Sequence, residues 1–154
     1  MTTRVNPIPD GFHTVTPHLV LKGASQAIEF YKKAFGAQEL MRMPGPDGKS
    51  IMHAEIKIGD SVVFLRDESP DASCGVSERR PVSLHLYVDD VDTTFKTALA
   101  AGAKEAMPLA DMFWGDRFGS LVDPFGQEWS VATRKEELTQ EEMGKRAQAA
   151  CQQG

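Results

Sequence analysis

Two stretches of this chain repeat one another in order, and this duplication limits the folds that the chain can adopt. The segment TPHLVLKGASQAIEFYKKAFGAQE aligns with SLHLYVDDVDTTFKTALAAGAKE, so that Thr16 falls on Ser83 and His18 falls on His85. In each copy a β-branched apolar run is followed by a helical pattern, a Gly-Ala turn and a second strand. The recurrence of these features in one order predicts two copies of a single β-α-β-β-β unit.

The predicted fold class is α+β, with two tandem βαβββ modules that form a concave pocket and a C-terminal helix. We predict one domain over residues 1–154. It comprises module one at 13–68, a linker at 69–81, module two at 82–133 and a helical tail at 135–153. Because a β-α-β crossover makes its strands parallel and hairpins add the rest, each module should be a four-stranded sheet with a helix on one face. Two such sheets can enclose a pocket lined by both copies.

Local signals place the ends of these elements. Pro17 favours the beginning or the edge of the first strand. Ser25 is a candidate cap for the first helix, and Gly36 is a candidate stop. Asp89 or Asp90 can cap the second helix. The alternation around Trp129 points its side chain away from Glu128 and Ser130, which predicts that Trp129 packs in the core against that helix.

Composition narrows the class of partner. The chain has 154 residues, 41% hydrophobic and 25% charged, with a net charge of −5, which disfavours nucleic acid and anionic membranes as partners. Two cysteines do not indicate a disulfide framework, and we expect cytosolic thiols. MTTRVNPIPDG lacks an apolar signal core, and no apolar run approaches the ~20 residues that span a bilayer. We therefore expect a cytoplasmic protein.

The stretch DMFWGDRFGSLVDPFGQEWSVA, from Asp111 to Ala132, holds both tryptophans and raises the main functional question. Turns explain its Gly and Pro residues, and strand alternation explains Phe118, Leu121 and Val131 as core. Core packing does not explain its other prominent side chains, which are Phe113, Trp114, Asp116 and Arg117. One interpretation is an anion-binding arginine oriented by a carboxylate beside an aromatic wall. The alternative is a surface ion pair in a hairpin.

Four stretches carry a resemblance to a known family. They are VTPHLVLKGASQAIEFYKKAFGA, RMPGPDGKSIMHAEIKIGDSVVFLRDE, VSLHLYVDDVD and MPLADMFWGDRFGSLVDPFGQEWSVAT. Together they cover about Val15 to Thr133, and they resemble the vicinal oxygen chelate superfamily, also called the glyoxalase, bleomycin-resistance and dioxygenase group. The match is nearest to its PhnB-like proteins. The resemblance implies the two-module fold and a homodimer, and it is far less specific for activity.

The resemblance also implies a divalent metal on the pocket floor, held by the first and last strands of each module. Carried over, the ligand positions are Thr16, Val63 or Leu65, Ser83 and Ser130, which are poor ligands. A displaced set, His18, His85 and Glu128, lies two residues away from three of these positions. If Ser83 and Ser130 face each other, His85 and Glu128 are offset by about 13 Å at ~3.3 Å per residue. Whether a divalent metal binds therefore stays open, and no other cofactor is indicated.

Three functions remain in competition. The first is a binding module for a small molecule. The second is a metal-dependent lyase, isomerase or dioxygenase that uses the His18, His85 and Glu128 set. The third is an interaction or structural role for a homodimer. For the first we expect a pocket lined by His18, Leu65, His85, Tyr87, Phe113, Trp114, Asp116, Arg117 and Glu128.

Overall fold

The computed structural model describes residues 7–68 and 82–152. The predicted linker at 69–81, Cys74 within it and the last residue of the predicted tail lie outside the described residues. The chain divides into two compact units, Met1–Glu78 and Arg79–Gly154, and each contains one predicted module.

Both modules have the predicted order of elements, which confirms the duplication. Module one contains β1 (His18–Leu21), α1 (Ala24–Phe35), β2 (Gln38–Pro44), β3 (Ile51–Ile58) and β4 (Ser61–Asp67). Module two contains β5 (Leu84–Tyr87), α2 (Val91–Ala100), β6 (Lys104–Asp111), β7 (Asp116–Val122) and β8 (Glu128–Arg134), and α3 (Gln140–Gln152) follows it.

The two sheets have one topology. Their strand orders are β1-β4-β3-β2 and β5-β8-β7-β6. In each sheet the first strand pairs in parallel with the last, and the remaining pairs are antiparallel. The strand before the helix therefore lies at one edge, and the strand after the helix lies at the other. β1 begins directly after Pro17, as the sequence predicts.

The N-terminus of α1 is held by the last residue of β4. The Asp67 carboxylate accepts hydrogen bonds from the backbone N–H groups of Gly23 at 3.0 Å, Ala24 at 2.8 Å and Ile51 at 2.7 Å. The first two bonds satisfy donors that have no partner inside the helix, and they put a negative charge at its positive end, while the third ties the carboxylate to the start of β3. The predicted cap Ser25 is wrong, because its hydroxyl instead accepts a bond from Arg42. Gly36 ends the helix as predicted, with φ of 67°.

Module two holds α2 in the same way with a different side chain. The Thr133 hydroxyl, at the corresponding place on β8, accepts from the backbone N–H of Val91 at 2.9 Å and donates to the carbonyl of Val88 at 2.7 Å. Asp90, one of the two predicted caps, adds a bond from the backbone N–H of Thr93. Each helix is thus fixed by a long-range contact as well as by its own sequence.

The core of each unit lies between its helix and one face of its sheet. In module two the odd-numbered residues of β7 and β8 face α2. A Cβ atom added at Gly119 would lie 2.9 Å from the Phe95 ring of that helix. Trp129 is 1% exposed, and its indole N–H donates to Asp123 at 3.0 Å. The predicted core positions Leu121, Trp129 and Val131 are confirmed.

The C-terminal helix is shorter than predicted. Helix α3 begins at Gln140 rather than at residue 135, because Thr139 and Glu142 form a reciprocal cap there. Before it, the backbone N–H groups of Lys135 and Glu136 both donate to the carbonyl of Gly115, which excludes helix at this point. None of the three helices described within 7–68 and 82–152 has the length and hydrophobicity of a transmembrane segment.

The contact between Asp67 and α1 generates a stability prediction. Asp67→Ala leaves three backbone N–H groups without their acceptor, so we expect the free energy of unfolding to fall by about 2 kcal/mol. Urea denaturation followed by circular dichroism measures this change. The matched control is Asp60→Ala in the exposed β3–β4 turn, with an expected change within about 0.5 kcal/mol. Equal effects of the two substitutions would contradict the assigned role of Asp67.

Candidate functional site

The face of the module-two sheet opposite α2 carries most of the predicted site residues of that module. Strand alternation puts the even-numbered residues of β7 and β8 on this face, together with His85 and Tyr87 of β5, since His85 lies opposite Ser130. The His85 Nδ1 atom is 2.6 Å from the Ser130 hydroxyl oxygen, and this bond fixes the imidazole on the sheet.

Five aromatic side chains form a continuous cluster on this face, named the aromatic cluster below. Its ring centroids are separated by 5.0 Å between Phe113 and Trp114 and by 5.6 Å between Trp114 and Phe118. The cluster continues at 6.0 Å from Phe118 to His85 and at 4.6 Å from His85 to Tyr87. Tyr87 is 66% exposed, so a broad aromatic surface faces away from the helix-packed core.

Asp116 contacts two rings of the aromatic cluster through hydrogen bonds. Its Oδ2 atom accepts from the Tyr87 hydroxyl at 2.9 Å and from the Trp114 indole N–H at 3.1 Å. The residue is only 5% exposed. Asp116 therefore joins Tyr87 to Trp114 and fixes the orientation of both rings.

The β6–β7 turn presents Phe113 and Trp114. The backbone N–H of Met112 donates to the carbonyl of Asp116, and that of Gly115 donates to the carbonyl of Met112. The φ angle of 95° at Gly115 is one that other residues rarely adopt. A guanidinium N–H of Arg146 on α3 donates to the Phe113 carbonyl at 3.4 Å. The turn is therefore held by its own backbone and by the C-terminal segment.

Arg117 is not oriented by Asp116, which corrects the predicted pairing. Neighbouring strand residues point to opposite faces, and Arg117 lies on the α2 side, where it bonds Asp92 at 2.9–3.1 Å and Asp111 at 3.3 Å. Its guanidinium holds the pKa of Asp92 below the usual range. With two carboxylates already bound, Arg117 is poorly placed to bind an anion.

A charged crevice lies beside the aromatic cluster. Its volume is about 630 Å³, within the usual range for ligand pockets. Its lining comprises Asp92, Asp111, Gly115, Asp116, Arg117, Lys135 and Glu136. Four acidic and two basic residues therefore line the crevice, and Asp116 belongs to this lining as well as contacting the aromatic cluster.

Module one carries a smaller cluster around His18. The His18 ring makes edge contacts with His53 at 6.0 Å and with Phe64 at 5.8 Å, and His53 Nε2 is 3.2 Å from a Glu55 carboxylate oxygen. Burial, then Arg66, then His53 lower the pKa of His18, which favours the neutral imidazole.

Leu65 does not belong with these module-one side chains. It is 0% exposed and lies opposite Ala54, whose other cross-strand neighbour Arg42 contacts α1. It is therefore a core residue on the helix side, and its predicted place in the pocket is wrong.

The residues present do not fit the divalent metal that the resemblance implies. Glu128 lies two residues before Ser130, and Ser130 faces His85, so the offset between His85 and Glu128 is about 7 Å and not the predicted 13 Å. His85 already bonds Ser130 through Nδ1. Across 7–68 and 82–152, no three His, Cys, Asp or Glu side chains converge on one cation position. We assign no metal-dependent step to these residues.

Two members of the site were given other roles in the sequence analysis, Phe118 as a core residue and Ser130 as a carried-over metal-ligand position. Phe118 is half-buried within the aromatic cluster rather than in the core, and Ser130 is the bonding partner of His85. Alternation could have identified Phe118, because it shares a strand face with Asp116. Ser130 required the register of the β5–β8 pair, which the sequence does not show.

Tyr87 supplies a direct test of the Asp116 contact. The hydrogen bond to Asp116 raises the pKa of Tyr87, because it stabilises the protonated phenol. We expect Asp116→Asn to lower the pKa of Tyr87, as followed by the ultraviolet absorbance of tyrosinate, with Tyr87→Phe assigning the signal. The bond stabilises the fold at neutral pH and is lost as the pH rises through the raised pKa. An unchanged titration in Asp116→Asn would show that the charge of Asp116 does not act on the Tyr87 phenol.

Comparisons with known proteins place this geometry in a family. The chain is 44% identical over 135 residues to an uncharacterized protein of Mycobacterium tuberculosis, covering 84% of this chain and 79% of that protein. It is similar in structure to TioX from Micromonospora sp. ML1, with 26% identity, a TM-score of 0.63 and coverage of 82% and 100%. A PhnB protein from Bacillus cereus shares the fold at 20% identity, with a TM-score of 0.64 and coverage of 79% and 99%.

The family pattern covers both modules. The model of the Glyoxalase/Bleomycin resistance protein/Dioxygenase superfamily matches residues 12–131, which span β1 to β8 except for the last residues of β8. With two βαβββ modules of one topology and this match over most of its length, the chain belongs to the Glyoxalase/Bleomycin resistance protein/Dioxygenase superfamily.

Proposed function

We propose that the protein binds a planar aromatic small molecule on the aromatic cluster of module two. The observation that carries this proposal is the continuous surface from Phe113 to Tyr87, with a strongly exposed tyrosine at one end. Exposed aromatic side chains gain from contact with a second ring, both by burial of apolar area and by stacking. A stable core does not require these rings on the face opposite α2.

The hydrogen bonds to the rings favour binding because they fix the orientation of the rings before a ligand binds. Asp116 holds Tyr87 and Trp114, and Ser130 holds His85. A ligand that meets immobilised rings loses less side-chain entropy than one that must order them, a saving of about 0.5–1.5 kcal/mol per side chain. The aromatic cluster is therefore better suited to binding than the same residues would be in a mobile loop.

His85 gives the surface one polar contact. Its Nδ1 atom is used by Ser130, and within the described part of the chain Nε2 has no hydrogen-bond partner. That nitrogen can donate to or accept from a heteroatom of a ligand, according to the tautomer that Ser130 selects. A planar ligand with one ring heteroatom matches this arrangement.

The proposed function is binding of a small molecule, and it does not change the other predictions made from the sequence. A pocket shared by the two modules, a homodimer and a cytoplasmic location remain predictions. No observation within the described residues favours the metal-dependent lyase, isomerase or dioxygenase over binding. The exposed Leu40, Met41 and Met43 on β2 fit a homodimer, although they do not identify one.

Binding of acridine, a planar probe that is neutral at pH 8, tests the proposal. We expect quenching of its fluorescence by the wild-type protein, and we expect Tyr87→Ala and Trp114→Ala each to weaken binding about tenfold through lost stacking. Fluorescence titration gives the dissociation constants. Circular dichroism confirms that both variants are folded.

Two controls make the test specific to the aromatic cluster. Phe125→Ala removes a half-buried aromatic residue at the far end of the β7–β8 hairpin and should leave the affinity unchanged. Arg117→Ala should also leave it unchanged, because Arg117 is bound to Asp92 and Asp111. Equal acridine binding in wild type, Tyr87→Ala and Trp114→Ala would contradict the proposal. So would the absence of any detectable acridine binding.

A further inference from the structure

The charge of Asp116 is the feature of the site that ring packing alone does not explain. Its two side-chain partners, Tyr87 and Trp114, are neutral donors. Among residues 7–68 and 82–152, no Lys, Arg or His nitrogen lies within 4.0 Å of this carboxylate. The buried negative charge is therefore hydrogen-bonded but not neutralised by direct ion pairing.

The surroundings of this carboxylate add to the negative potential. In the adjoining crevice, Arg117 is shared by two carboxylates, Asp92 and Asp111. Glu136 is paired with Arg146 at 2.7 Å. Asp116 differs from these residues, because its carboxylate lies among the rings and, within the described residues, has no bonded cation.

The aromatic rings also favour a cation at this surface. The face of an aromatic ring is the negative end of its quadrupole, so an accessible face of Trp or Tyr attracts cations. Because Asp116 draws on the Tyr87 hydroxyl and the Trp114 N–H, its charge lies at the edges of both rings. A cation over the rings would be attracted both by the ring faces and by the Asp116 carboxylate.

Arg134 opposes this attraction, and Lys135 in the lining of the crevice acts in the same sense. Arg134 lies directly across from Asp116 in the β7–β8 pair and is exposed, and its charge acts weakly to lower the pKa of Tyr87. Solvent screens an exposed guanidinium more strongly than it screens a carboxylate that is 5% exposed. Arg134 should therefore weaken the preference for a cation without reversing it.

We propose that the aromatic cluster selects planar cations, such as heteroaromatic ammonium compounds, over neutral molecules of the same shape. The proposal rests on the proposed function and specifies the charge of its ligand. It follows from the unpaired Asp116 carboxylate beneath Tyr87 and Trp114, together with the excess of carboxylates in the crevice.

A matched pair of probes isolates charge from shape. Acridine is neutral at pH 8, and N-methylacridinium has the same rings with a permanent positive charge and no free ring nitrogen, so loss of a His85 contact would work against the expected preference. We expect the wild-type protein to bind N-methylacridinium about fivefold or more tightly than acridine, the range of a cation–π contact. Fluorescence titration at low ionic strength measures both dissociation constants. The selectivity ratio is the dissociation constant of acridine divided by that of N-methylacridinium, and added salt should reduce this ratio.

Two variants should move this ratio in opposite directions. Asp116→Asn keeps an acceptor oxygen for Tyr87 and Trp114 but removes the charge, so the ratio should fall toward one. Arg134→Gln removes an opposing cation, so the ratio should rise. If Asp116→Asn does not fold, Arg134→Gln still decides, because an unchanged or lower ratio in that variant overturns the proposal.

The outcomes separate this inference from the function on which it rests. Tight acridine binding with a wild-type ratio of one or less overturns the charge selectivity and leaves the aromatic binding site standing. A ratio above one that neither variant changes also overturns it, since the preference would then arise elsewhere. Failure of both probes to bind overturns the proposed function and the inference together.

Discussion

Each module depends on one contact, in which the last strand binds the N-terminus of the helix that follows the first strand. The N–H of Ala24 donates to Asp67, and the N–H of Val91, its counterpart in the duplication, donates to Thr133. Because first and last strands are parallel neighbours, this bond closes the β-α-β-β-β unit with a contact between residues more than 40 positions apart. The two copies keep the geometry but not the chemistry: a carboxylate satisfies three backbone donors in one module, and a hydroxyl bridges a donor and an acceptor in the other.

Because each helix packs on one face of its sheet, the opposite face of that sheet is left for other contacts. The helix takes the apolar face, so alternation leaves polar and aromatic side chains on the opposite face. In module one these are His18, His53 and Phe64, and in module two they are the aromatic cluster and Asp116. The duplicated scaffold therefore presents two different surfaces. Within the described residues, the surface of module two has rings joined through a buried carboxylate, and the surface of module one does not.

The sequence predicted the fold well because repetition and periodicity are local signals. The duplication identified both modules, Pro17 and Gly36 marked element ends, and alternation placed Trp129 in the core. The site was harder, because it depends on strand register. The offset of Glu128 from His85 was overestimated, since nothing local shows that Ser130 lies opposite His85. Leu65 and Phe118 were assigned to the wrong faces for a related reason: an apolar residue fits either side of a strand until its neighbours are known.

Asp116 and Arg117 show how strand geometry can create a functional charge from an apparently neutral pair. Adjacent in sequence, they appear to be an ion pair, yet a strand sends successive side chains to opposite faces. Arg117 is drawn to Asp92 on the helix side, while Asp116 is left with two neutral donors among the rings. Burying a carboxylate costs several kcal/mol unless bonds compensate it, and a cation is the strongest compensation. A buried acid placed one residue from an arginine that it cannot reach is a poor way to stabilise a hairpin. It is an effective way to give an aromatic surface a negative charge.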